Sequence, residues 1–182
     1  MRWLVALIGT LAATVLVAPA ADADDGLFAL LDAAAARLQT ADAVAADKWV
    51  HGGSIVDPAR AAAVLDSVAT DAQHRGIDPG YVRGVFADQI PATEGVEYSR
   101  FAQWKLEPGS APARAPDLAQ SRSAIDGFNH TMVNEIAAHW DTLHSPTCPA
   151  ALDGARAAVA GARALDPLLV RALDSATGNY CQ

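Results

Sequence analysis

Between Leu27 and His51 the apolar residues recur at helical spacing. Placed 100° apart, Leu27, Leu30, Leu31, Ala34, Leu38, Ala41, Ala45 and Trp49 share one face, while Asp32, Gln39, Asp42 and Asp47 fall outside it. This predicts one long helix. Asp57-Pro58, Asp78-Pro79 and Asp166-Pro167 each set an N-capping acid before a proline suited to the first helical position, so three more helices start there. Gly76 closes the Asp57 helix. The loop from Glu107 to Pro116, which contains Pro108, Pro112 and Pro116, separates the long Asp78 helix from another that begins near Asp117. The last two helices are expected at about Pro149 to Leu165 and Pro167 to Cys181. No stretch alternates with the period of a strand, and alanine is abundant. The expected fold is all-α, a single domain of about six helices without internal repeats, in which alanine runs such as 33–36 and 61–63 serve as helix filler and close-packing surface.

Polar side chains interrupt these apolar faces at Arg37, Lys48, Asp57, Arg60, Thr93 and Glu97, with Arg122 as a seventh. Arg37 and Lys48 lie along one edge of the first apolar arc. Very nearly three turns separate them, so they point the same way, about 16 Å apart along the axis. They could grip opposite ends of one small molecule. A single cation at such an edge can equally lay its stem on apolar surface and keep its charge in water, a reading that two cations in register weaken. Thr93 and Glu97, four residues apart, share the face of Val82, Phe86, Ile90 and Trp104, which aims a carboxyl group at the core. Arg122 lies with Leu118, Ile125, Phe128 and Ile136. An internal ion pair between Arg122 and Glu97 would be a purely structural explanation, and it would leave Arg37, Lys48 and Arg60 without acids. The chain has 13 Lys and Arg against 21 Asp and Glu, a net charge of -8. Four inward cations against that balance imply a small anionic ligand.

The order and spacing of these residues resemble the AroQ-class chorismate mutases, and within them the secreted gamma subclass. The likeness is carried by Arg37, Lys48, Asp57, Arg60, Thr93 and Glu97, by TEGVEYSRFAQWKL at 93–106, by SRSAID at 121–126 and by the cysteine pair near the C-terminus. It extends from about Leu27 to Gln182. The resemblance implies an enzyme that rearranges chorismate, a small dianion, to prephenate without cofactor or metal, in aromatic amino acid biosynthesis. Arg37 and Arg122 would clamp substrate carboxylates. Lys48 would donate to the ether oxygen, Arg60 would add positive charge beside it, and Glu97, if protonated, would supply a second ether contact. Thr93 would contact a carboxylate or the substrate hydroxyl. Asp57 is explained by capping alone, although its free backbone N–H could also meet the hydroxyl. Catalysis is thus expected from Lys48, Arg60 and Glu97, and substrate binding from Arg37, Asp57, Thr93 and Arg122. Two departures stand out: Val64 replaces a glutamine of close relatives, and Pro91 falls inside a helix two residues before Thr93, which removes a backbone bond and invites a kink.

Arg2, the apolar run from Trp3 to Val17 and the small residues ending at Ala23 form a secretory signal peptide over residues 1–23, with cleavage after Ala18-Pro19-Ala20 as the other option. Residues 24–182, about 159 in all, then make one domain and leave no room for a fused second enzyme. Export to the periplasm or beyond the cell suits a disulfide between the two cysteines, Cys148 and Cys181, and the resemblance implies that it closes within one chain. The resemblance also implies a homodimer with each active site complete in one chain. The acidic balance, without a Lys/Arg cluster, argues against nucleic acid or an anionic membrane as partner. His51, His74, His130, His139 and His144 show no metal-ligand spacing. Two alternatives remain: an isochorismate pyruvate lyase of the same fold, against which Glu97 counts because lyases usually carry a neutral amide there, and a secreted binding protein that retains the pocket without turnover.

Overall fold

A computed structural model describes residues 26–182; the signal segment expected at 1–23 lies outside them. Eight α-helices occur among the described residues: α1 (Phe28–Gln39), α2 (Ala41–His51), α3 (Pro58–His74), α4 (Pro79–Leu106), α5 (Leu118–Ala138), α6 (Trp140–Leu143), α7 (Cys148–Ala162) and α8 (Pro167–Ala176), with a 3₁₀ turn at Pro108–Ser110. They follow the six expected spans, two of which are divided. Thr40 divides the first. Its hydroxyl bonds back to the Arg37 carbonyl at 2.6 Å and its N–H reaches the same oxygen at 3.2 Å, a tight turn that competes with the α-helical ladder. His139 separates the short α6 from α5.

The capping acids act as their positions predict. Asp57 accepts from the Arg60 N–H at 3.0 Å, Asp78 from Gly80 at 2.9 Å, Asp117 from Ala119 at 2.8 Å and Asp166 from Leu169 at 2.8 Å. Each bond satisfies an N–H that the first helical turn leaves without a partner. α4 runs through Pro91, whose ring is exposed and leaves the helix unbroken.

α1 is the axle of the fold. It packs on α4, α5, α7 and α8, and Leu30, Leu31, Ala33, Ala34, Ala35, Ala36, Arg37 and Leu38 are all buried. A helix covered on nearly every side needs short side chains wherever neighbours approach closely, which accounts for the alanine run. The main core joins these residues to Val82, Val85 and Phe86 of α4, Met132, Val133 and Ile136 of α5, and Leu169 and Leu173 of α8. A second, smaller cluster sets Trp49 of α2 edge-on to Phe101 and Trp104 of α4, at centroid distances of 5.2 and 5.5 Å. It fixes α2 against the C-terminal half of α4.

Cys148 and Cys181 form a disulfide within the chain, which ties the start of α7 to the segment after α8. Next to it, Tyr180 is fully buried and its carbonyl accepts from the Tyr81 hydroxyl. Replacing both cysteines by alanine is expected to lower stability by roughly 2–4 kcal/mol, the usual worth of closing a loop of this length. Urea midpoints of the wild type and the double variant measure this, and equal midpoints would mean that the bridge adds nothing to the packing around it.

Candidate active site

All seven polar residues singled out in the sequence line one cavity of about 110 Å³, where a single water needs only ~10–15 Å³. Each wall comes from a different element. α1 contributes Arg37, α2 contributes Val44 and Lys48, and the loop before α3 contributes Ile55 and Asp57. α3 presents Arg60, Ala61 and Val64; α4 presents Ile90, Thr93, Glu94 and Glu97; α5 closes the space with Leu118, Arg122 and Ile125. Val64 is buried and apolar, so this part of the wall carries no polar contact. Thr93 and Glu97, although they follow Pro91, both face the cavity.

Arg37 is only 5% exposed. Its Nε donates to Asn129 Oδ1 at 2.8 Å and its Nη1 to Thr93 Oγ1 at 3.0 Å. Both partners are neutral, and no described carboxylate lies within ion-pair reach of it. Burial draws its pKa down to about 10, which leaves it a cation at neutral pH. Thr93 is itself held, since its hydroxyl donates to the Gln89 carbonyl at 2.9 Å, and the Gln89 amide donates to the Ala34 carbonyl of α1 at 3.0 Å. Three bonds therefore fix the buried cation to α4 and α4 back to α1.

Lys48 enters the cavity from α2. Its Nζ donates to Glu97 Oε2 and to the Ile55 carbonyl, both at 2.7 Å. The chain reaches Ile55 by leaving α2 through Gly52, in the left-handed region at φ 79°, where a residue with a Cβ would be strained. Gly53 follows so closely on the Lys48 stem that a Cβ there would stand 3.2 Å from Lys48 Cγ. Glu97, 3% exposed, is raised above the ordinary carboxyl value of 4.5 chiefly by burial, with Lys48 opposing through its hydrogen bond and charge and Glu94 adding repulsion. Arg60 donates to Asp126 Oδ1 at 2.6 Å, in a pair with both side chains in solvent.

The purely structural alternative, an Arg122–Glu97 ion pair, does not form. Glu97 pairs with Lys48, not with Arg122, because Arg122 is exposed at the rim; Arg60 also has an acid, in Asp126. Asp57 is exposed and spends its carboxylate on the cap. Three groups at the site escaped the sequence reading: Asn129, Asp126 and the Ile55 carbonyl. Asn129 did leave a signal, since Leu118, Arg122, Ile125, Asn129, Met132 and Ile136 form one stripe at spacings of three and four. A polar residue within it is as anomalous as Arg37 in its own stripe. Among the described residues no group of three or more His, Cys, Asp or Glu is gathered as a metal site, and no helix is long and apolar enough to cross a membrane.

Comparison with known proteins points to one family. The profile of the family described as chorismate mutase type II matches residues 24–98. A secreted chorismate mutase of Mycolicibacterium smegmatis is 55% identical over 166 residues, 90% of this chain and 92% of that protein. A secreted chorismate mutase of Mycobacterium tuberculosis is 50% identical over 162 residues, 89% of this chain and 81% of that one. The crystal structure of a chorismate mutase from Burkholderia phymatum superposes with a TM-score of 0.81 at 31% identity, covering 87% of this chain and 97% of that one.

The raised pKa of Glu97 has a measurable effect on folding. Between the ordinary carboxyl value of 4.5 and its raised pKa, Glu97 holds a proton in the folded chain that the unfolded chain has released. The stability this group contributes is complete below that value and is lost as pH rises through the raised pKa. Glu97→Gln, with no proton to lose, should remove that decline. Urea midpoints across this range, compared between the two proteins, test it, and parallel curves would rule out a raised pKa.

Proposed function

This chain belongs to the chorismate mutase family, and from that premise we propose that it is an exported chorismate mutase whose cavity rearranges chorismate to prephenate. The observation that carries the reading is the polarity of the cavity. A buried arginine without a counter-ion among the described residues stands on one wall, a lysine and a carboxyl group in contact stand on another, and apolar side chains lie between. Chorismate has matching features: two carboxylates and an ether oxygen that gains negative charge as its C–O bond breaks and the new C–C bond forms.

The reaction needs no nucleophile. The protein can accelerate it by holding the compact conformer and by aiming donors at the ether oxygen. Arg37 and Arg122, the cavity cations without a carboxylate partner among the described residues, take the substrate carboxylates; Arg37 does so from inside the protein and Arg122 from the rim. Lys48 donates to the ether oxygen, steered by the Ile55 carbonyl. Glu97 donates from the other side once protonated. A dianion entering beside it adds negative charge and pushes its pKa in that same direction. Arg60 adds positive charge near the ether, and its exposed bond to Asp126 is one that water already weakens. Thr93 offers its hydroxyl beside Arg37, and Asp57 its backbone N–H while its side chain caps α3. Residues 1–23 act as the signal peptide and 24–182 as the enzyme, and two copies form a homodimer. Export fits the disulfide and the names of both mycobacterial relatives.

Chorismate turnover by residues 24–182, with isochorismate assayed in parallel, tests the reaction; pyruvate release from isochorismate without prephenate formation would overturn it. Lys48→Ala should remove a donor at the developing charge and slow turnover roughly a hundredfold to a thousandfold, with helicity kept. Normal turnover in that folded variant would sink the proposed role of Lys48. With the wild type, the rate should fall as pH rises through the Glu97 pKa in the complex, whereas Glu97→Gln should stay active and lose that limb. The same alkaline decline in both proteins would exclude Glu97 as the second ether donor.

A further inference from the structure

α5 holds two cations of the cavity in two different ways. Asp126 gives Arg60 a carboxylate at 2.6 Å, with 35% of the arginine side chain and 57% of the aspartate exposed. Nearly one turn later Asn129, itself buried, gives Arg37 an amide oxygen at 2.8 Å. The wet cation receives a charge and the dry one a dipole. Solvation explains why the division matters. Between exposed groups water screens the attraction, so Arg60 keeps much of its pull on a passing anion. At the buried Arg37 a carboxylate in place of the amide would hold the guanidinium tightly and cancel its charge before any ligand arrived.

We propose that Asn129 is a positioning residue for substrate binding: its neutral oxygen fixes the Arg37 guanidinium in the cavity wall and leaves the full positive charge for a substrate carboxylate. Asn129 and Thr93 occupy Nε and Nη1, so the donors that remain on the fork serve the ligand. This inference rests on the reading of Arg37 as a carboxylate clamp.

The test is chorismate kinetics and thermal denaturation of Arg37→Ala, Asn129→Asp and Asn129→Ala beside the wild type. Asn129→Asp keeps the shape and supplies a counter-ion. It should melt no lower than the wild type yet raise KM roughly 10- to 100-fold, the range for losing a hydrogen-bonded charge, with kcat retained, the pattern of lost uniform binding. Asn129→Ala should raise KM as well, because the guanidinium is no longer held. A wild-type KM in Asn129→Asp would overturn the proposal and make Asn129 an ordinary core amide. Should Asn129→Asp fail to fold, Asn129→Ala decides: a raised KM supports the proposal, and an unchanged KM with a lowered melting temperature overturns it. Arg37→Ala separates the two readings. If it leaves KM unchanged, the clamp itself is wrong; if it raises KM while the Asn129 variants do not, only the role of Asn129 falls.

Discussion

A cation that must stay charged while buried on a central helix sets the terms for the elements around it. An unpaired charge taken out of water costs several kcal/mol unless hydrogen bonds replace its hydration. α1 carries Arg37 among leucines and alanines, with other helices on nearly every side. The neighbours therefore supply oxygen atoms without charge: the Asn129 amide from α5 and the Thr93 hydroxyl from α4. Thr93 and Gln89 pass the constraint back to the α1 backbone. α1, α4 and α5 cannot shift independently without breaking a buried bond, and those three helices also frame the cavity.

The second anchor works by contact between opposite charges. Lys48 and Glu97 join α2 to α4 across the cavity, and the aromatic trio of Trp49, Phe101 and Trp104 holds the same two helices together on apolar surface. Burial and Lys48 pull the Glu97 proton in opposite directions, with burial the larger effect. That balance leaves the carboxyl group able to accept a hydrogen bond when ionised and to donate one when protonated.

Much of this was legible in the sequence because amphipathic periodicity and proline-adjacent acids are local signals. The helices begin at Asp57, Asp78 and Asp166 as their caps predict, and Arg37, Lys48, Thr93 and Glu97 point where their faces direct them. What the sequence could not convey depends on distance between elements. Spacing put Glu97 on an inward face without saying whether Lys48 or Arg122 would meet it; the tertiary packing of α2 on α4 decides that. Thr40 divides α1 from α2 through one hydroxyl bond, too weak a cue to read against eleven residues of helical pattern on its far side. Asn129 stands on an inward stripe of α5, and only the packing of α5 on α1 determines that its amide oxygen meets Arg37.

The approach of Gly53 to Lys48 bears on which sequences this scaffold can accept. Its two chain neighbours beyond, Ser54 and Ile55, differ in freedom: Ser54 faces solvent, whereas Ile55 is buried and offers its carbonyl to the lysine. Position 53 is held tighter than either by space alone, because one added carbon would press on the stem of the cation. The loop can therefore drift at Ser54 and Val56, both on the surface, while a single missing methyl group at its base keeps the ammonium in register with the carboxyl group it faces.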